Sequence, residues 1–262
     1  MTVTPSAPAD LRAEIRAGRF RATTAGLAPG YAQANLIVLP REWANEFRDF
    51  CFRNPRPCPL LDVTEPGSPH PPRLAPQADL RTDVPGYRWF HDGAFEDVDD
   101  LRAIWRGDLV AFLLGCSFSF ERALMAERIP VRHIELGVTV PMYVTMRACT
   151  PAGRLAGPMV VSMRPIPARL VARASQICAA YPGSHGAPVH AGDPAALGIV
   201  DLDRPDFGEC VPIASDEVPA FWGCGVTPQV VLQRSGCSWF AAHRPGRMFV
   251  SDREETISPI AS

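Results

Sequence analysis

The chain contains no lysine: all 26 of its basic residues are arginine. That absence excludes a Schiff base to pyridoxal phosphate or to a carbonyl substrate, and it excludes a Walker-type phosphate loop. It leaves bidentate carboxylate recognition intact, since the arginine fork serves that purpose better than an ammonium. The formal net charge is −2, so no polybasic surface points to nucleic acid or an anionic membrane as partner. No apolar run reaches the roughly 18–20 residues that cross a bilayer. Residues 1–20 carry two acids and no apolar segment of signal-peptide type, which predicts a cytoplasmic protein. The eight cysteines include no CxxC pair. A chain of 262 residues buries a full core without staples, so reduced thiols are expected.

What is present is turn-rich: 28 prolines and 20 glycines argue against a helix bundle. Helices are expected at Pro8–Ala17, Pro40–Arg53, Glu96–Trp105, Ser119–Ala126 and Pro167–Ala180, from apolar faces and proline or glycine ends. Strands are expected at Asn35–Leu39 and Leu109–Leu114, with extended pieces at 131–134, 138–145, 159–163, 197–200, 209–213, 220–226, 229–232 and 247–250. Residues 54–86 read as a proline-rich ordered loop. The fold class that follows is α+β: one mixed domain over 1–262, a mainly antiparallel or mixed sheet, and residues 1–19 as a peripheral N-terminal helix. A frame shift of 127 residues relates the stretch from Ile37 through Pro55 to that from Met163 through Pro182, with matching prolines and the same helical apolar face. An internal pseudo-twofold duplication with the site near its seam is one reading; chance likeness of two amphipathic helices is the other.

Two segments carry candidate chemistry. In Gly115-Cys116-Ser117-Phe118-Ser119-Phe120-Glu121 an apolar strand ends on glycine, a thiol, two hydroxyls and a carboxylate. On a functional reading Ser117 and Ser119 cap the helix and its free N–H groups face an anion. Cys116 then has a lowered pKa, and Glu121 acts as acid or base. On a structural reading they are caps and packing. The second segment, 184–194, places His185, His190 and Asp193 on a glycine-rich loop, where an imidazole oriented by Asp193 suits proton transfer. Its spacing matches no zinc pattern, so no metal is expected. Arg164, closing an apolar strand, suits a carboxylate clamp. Phe221–Pro228 and His243-Arg244-Pro245-Gly246 read as supporting stretches.

Taken together, GLAPGYAQANL, FCFRNPRPCPLL, DLVAFLLGCSFSFE, GPMVVSMRP, HGAPVHAGDP, FWGCGVTPQ and HRPGRMFVSD resemble the hydro-lyase family that also contains the D-glutamate cyclase domain. The resemblance runs from about residue 20 to 252. It implies a carbon–oxygen lyase and, by similarity to the cyclase, conversion of D-glutamate to 5-oxo-D-proline with loss of water. It assigns no catalytic residues. The residue-level reading adds a cofactor-free enzyme acting on a small (amino) dicarboxylate. In it His190 or His185 is the base, N–H groups of Cys116–Ser119 hold the oxyanion, Glu121 is the acid and Arg164 the clamp. Two alternatives stand beside it: a non-catalytic small-anion-binding protein, and a cysteine-dependent amide hydrolase using Cys116. A homo-oligomer is expected from the base rate for metabolic enzymes.

Overall fold

A computed structural model describes residues 7–261. Helix α1 (Pro8–Arg16) leads into strand β1 (Tyr31–Pro40), helix α2 (Arg41–Arg53) and strands β2 (Leu60–Val63), β3 (Tyr87–His91), β4 (Ala94–Val98) and β5 (Leu109–Gly115). Then come α3 (Phe118–Ala126), α4 (Arg132–Leu136), β6 (Met142–Ala148), β7 (Pro158–Pro167), α5 (Val171–Ala179) and β8 (His190–Ala191). Strand β9 (Glu217–Gly223), α6 (Thr227–Arg234), β10 (Phe240–His243) and β11 (Phe249–Glu254) complete the chain. A seven-stranded sheet runs β2-β5-β1-β10-β3-β4, with β11 also paired to β1, and a four-stranded sheet runs β6-β7-β9-β8. The pairings are antiparallel, as the α+β reading expects.

Strand β1 is apolar on both faces because each face meets a different core. Ile37 and Leu39 join Phe47, Phe112, Val161 and Phe221 in a core shared by both sheets. Leu36 and Val38 face the other way, onto Leu74, Leu80, Leu101 and Phe249. The proline-rich segment therefore has a purpose: its leucines cover the outer face of the large sheet, which is why β1 and β5 read as continuous apolar runs.

Several local expectations are corrected. No helix forms over Glu96–Trp105: residues 96–98 belong to strand β4, paired with β3 through the Asp92-Gly93 turn, and residues 99–105 form no regular element. Both turn residues have positive φ, 49° and 81°, the hairpin geometry that Asp-Gly favours. The extended pieces expected at 131–134 and 229–232 are helices α4 and α6; Pro228 in the first turn of α6 was the missed start signal. Residues 197–200 and 209–213 form no strand.

The 127-residue spacing recurs in strand bounds, Tyr31–Pro40 against Pro158–Pro167. Cys116 N donates to Gln33 O and Cys224 N to Val160 O, each at 3.0 Å. Gln33 N donates to Ser119 Oγ and Val160 N to Thr227 Oγ1, each at 2.9 Å. Two strand–turn–helix units thus share their hydrogen bonds. The outer strands of the two sheets are ordered differently, and a duplication of the whole chain is not established.

Candidate active site

The two sheets meet where β5 and β9 end in the same dipeptide, Gly115-Cys116 and Gly223-Cys224, before α3 and α6 begin. Between these turns lies a small cavity of about 20 Å³ lined by Asn35, Cys116, Ser117, Ser162, His185, Cys224, Gly225 and His243, among others. That is room for about one water. Backbone is drawn close on both sides. A side chain at Gly115 would strike the Gly183 carbonyl, and one at Gly225 would strike the amide of Asn35. Asn35 is itself fixed by donating from Nδ2 to Gly115 O at 2.8 Å.

Two buried imidazoles line this cavity. His185 Nδ1 lies 2.7 Å from the Arg56 carbonyl. A carbonyl only accepts, so Nδ1 carries the proton and Nε2 offers its lone pair. His243 Nδ1 lies between two groups of Leu36, 3.1 Å from its N–H and 3.2 Å from its carbonyl, so either tautomer is satisfied there. The Nε2 of His243 is buried without a partner among the described residues. Burial lowers both rings to about 4, so each is neutral near pH 7. His185 has φ +76°, a left-handed conformation that costs a bulky residue on the order of 1–3 kcal/mol. Arg56 holds the loop in place by donating from Nη2 to the carbonyls of Ala187 and Pro188.

Behind the cavity wall, the Arg164 side chain is fully buried between Phe120 and Trp222, its guanidinium carbon 5.3 and 5.4 Å from their ring centres. It binds Glu121 Oε1 through Nε and Nη2, Ser117 Oγ through Nη2 at 2.8 Å, and Ser162 Oγ through Nη1 at 3.1 Å. Both serine oxygens accept from the guanidinium, so both hydroxyl hydrogens are free to donate into the cavity. The charge of Arg164 polarises them further.

The expected site is thus partly assembled and partly reassigned. Cys116, Ser117 and His185 converge on the cavity. Cys116 is no activated thiol: burial pushes it up to about 12, against the lowered value expected at a helix start, because the wall around it is apolar. Glu121 is fully buried; burial raises its pKa, but His133 and Arg164 outweigh that and hold it below the carboxylate range. It is a carboxylate, not a proton donor. Arg164 is not a free clamp, because Glu121 and the two serines occupy it. Neither serine caps α3: Ser119 Oγ instead accepts from Gln33 N. The N–H groups of Cys116 and Ser119 are taken by Gln33 O and Cys116 O, so they are no oxyanion donors. His190 and Asp193 are not among the cavity's lining residues. His190 sits at the sheet edge, its Nε2 on the Asp193 backbone carbonyl at 2.8 Å, while the Asp193 carboxylate caps the next turn by accepting from Ala195 N. Among the described residues no three His, Cys, Asp or Glu side chains are grouped to hold a metal ion.

Asn35 and Ser162 were not singled out from the sequence, and Cys224 and His243 only as members of the supporting stretches. Their signal was there: a polar residue in each of the apolar strands β1, β7 and β10, and a Gly-Cys pair repeated at the ends of β5 and β9.

The family model for D-glutamate cyclase matches residues 110–252. A protein of Rubrobacter xylanophilus named "Putative hydro-lyase" is 57% identical over 94% of this chain and 96% of its own length. One of the same name from Stutzerimonas stutzeri is 56% identical over 97% and 96%. A solved nitrogen repressor-like protein of Methanococcus jannaschii overlaps 95% of this chain at 8% identity with a TM-score of 0.39, a level that does not establish a common fold. The long identities settle the matter of kinship: this chain belongs to the D-glutamate cyclase family.

Proposed function

We propose that the cavity at the sheet junction removes water from a small (amino) dicarboxylate without a cofactor, and that D-glutamate, giving 5-oxo-D-proline, is its substrate. One observation carries this reading: the accepting His185 Nε2 and the unpartnered His243 Nε2 line one cavity with two arginine-polarised hydroxyls.

The chemistry balances within the substrate. The ammonium nitrogen gives a proton to His185 Nε2, then attacks the far carboxyl carbon. An N–C bond forms, a C–O bond breaks, and two protons pass from nitrogen to the departing oxygen, which leaves as water. His185 carries those protons. The oxyanion of the tetrahedral intermediate takes hydrogen bonds from Ser117 Oγ and Ser162 Oγ, donors already oriented before the reaction. A base of pKa about 4 is weak for an ammonium, but a substrate carboxylate in the same cavity raises the imidazole value, and desolvation lowers that of the ammonium. With space for about one water, the cavity must widen to admit the acid.

Purified, chelator-treated protein incubated with D-glutamate should lose primary amine and yield 5-oxo-D-proline at the rate of untreated protein. No amine loss, with water released from another small dicarboxylate, would keep the lyase and remove D-glutamate. Thermal stabilisation by dicarboxylates with no product from any of them would leave only a small-anion-binding protein.

A further inference from the structure

A second, open cleft of about 420 Å³ adjoins the cavity, lined by Arg88, Arg244, Arg247, Thr139, Asp97 and Glu209, among others. The two spaces share walls. Residues 138 and 139 line the cleft and residues 140 and 142 the cavity; Arg244, Pro245 and Arg247 line the cleft, while His243, Gly246 and Met248 line the cavity. The second wall is a tight turn, Arg244-Pro245-Gly246-Arg247, closed by Arg247 N donating to Arg244 O at 3.0 Å. Gly246 has φ +77°, which a proline-glycine type II turn requires. Its carbonyl accepts from Thr23 Oγ1 and Thr24 N, each at 2.9 Å. The turn is anchored at the glycine and sets its two arginines on the outer side.

Three guanidiniums there share little negative charge. Asp97 lies 3.2 Å from Arg244 and 3.5 Å from Arg88, and Arg88 also stacks on Phe95. Glu209 stands on the other wall, held by the Thr139 N–H at 3.2 Å. Arg247 has no carboxylate partner and no side-chain hydrogen bond among the described residues. Burial, and next the adjacent Arg244 charge, lower its pKa, outweighing the opposing pull of Asp97 and Asp99. A half-buried unpaired guanidinium facing an open cleft is a ready partner for a carboxylate.

We propose that this cleft is the substrate's way in and its carboxylate subsite, with Arg247 gripping the acid's non-reacting carboxylate at the mouth of the cavity. This deepens the function proposed above and rests on it. It moves the clamp from buried Arg164 to a guanidinium that solvent reaches, and it makes an anionic group a condition of substrate recognition.

Glutarate, a five-carbon dicarboxylate without an amine, is the probe. Calorimetric titration should show binding to the wild type and at least about tenfold weaker binding to Arg247→Gln, the loss of one charged hydrogen bond. Arg106→Gln, which removes the same charge from an exposed pair with Asp108, should bind as the wild type does. KM for D-glutamate should rise in Arg247→Gln with kcat nearly kept. Should that variant lose its cooperative thermal transition, Arg247→Met, which keeps the aliphatic stem, replaces it. No glutarate binding by the wild type, or equal binding by wild type and a folded Arg247 variant, overturns the subsite. Arg247-dependent glutarate binding without D-glutamate turnover keeps the subsite and overturns the cyclisation; turnover with a KM indifferent to Arg247 does the reverse.

Discussion

The left-handed backbone of His185 and the hydrogen bond from its Nδ1 to the Arg56 carbonyl work together. The strained conformation aims the ring inward, and the carbonyl fixes which nitrogen can accept a proton. Glutamine at this position keeps polarity and approximate size but has no proton-accepting nitrogen. His185→Gln should therefore lower kcat by about 100-fold or more, the usual worth of a positioned base, while glutarate binding persists. His190→Ala should turn over at the wild-type rate, because its ring packs on Phe221 at the sheet edge. Steady-state rates of the two variants test this directly; a full rate in His185→Gln would remove the base from the scheme. Nothing in the local sequence separates the two histidines. Both lie in the same glycine-rich stretch, and their backbone partners distinguish them: His185 meets the carbonyl of distant Arg56, His190 that of nearby Asp193.

At the scale of elements, the Glu121–Arg164 pair ties α3, which follows the large sheet, to β7 at the centre of the small one. Both charges are buried, so removing one leaves the other unpaired in an apolar wall. Glu121→Gln should cost about 3–5 kcal/mol in urea unfolding, and Glu121→Leu with Arg164→Met should recover much of that, since matched apolar residues replace buried pairs with little loss. A single variant within a few tenths of a kcal/mol of wild type would show the pair is not structural. The element boundaries show where sequence patterns suffice. Strands β1, β5 and β7 and helices α2, α3 and α5 were legible from apolar runs and helical faces. The β3–β4 hairpin was not, because its strands are half-exposed and carry mixed residues, leaving only the Asp-Gly turn as a signal. Helix α6 was misread because its core, Val230-Val231-Leu232, is buried on every side and so short that it has no period.

Across the whole molecule, acid should weaken the fold through the site itself. The buried rings of His185 and His243 bind protons near pH 4, while the unfolded chain binds them near 6.5. Between those values the unfolded state holds more protons, so stability falls as pH drops, by roughly 2 kcal/mol per histidine at pH 5. Glu121 acts in the same sense: its depressed pKa stabilises the fold above the unfolded value, and that contribution is lost as pH falls through the folded one. Urea midpoints at pH 7 and pH 5 report the histidine contribution alone, because Glu121 loses its own only below the unfolded carboxyl value of 4.5. An unchanged midpoint would mean that the imidazoles are not buried and neutral. Among the described residues no helix is long and apolar enough to cross a membrane.

Local order and available chemistry were set by the sequence alone. Without lysine, amine catalysis is closed; with long apolar strands and proline-ended helices, an antiparallel α+β domain follows; and the quoted motifs suffice to indicate the family. Which groups meet was decided only in three dimensions. Residues 35, 116, 162, 185, 224 and 243 come together through sheet pairings between segments up to about two hundred positions apart. Protonation was decided there too: the distant Arg56 carbonyl leaves Nε2 as the accepting nitrogen of His185. Burial, finally, turned an expected acid and an expected clamp into each other's counter-ions, because two opposite charges enclosed by Phe120 and Trp222 neutralise one another before either can serve a substrate.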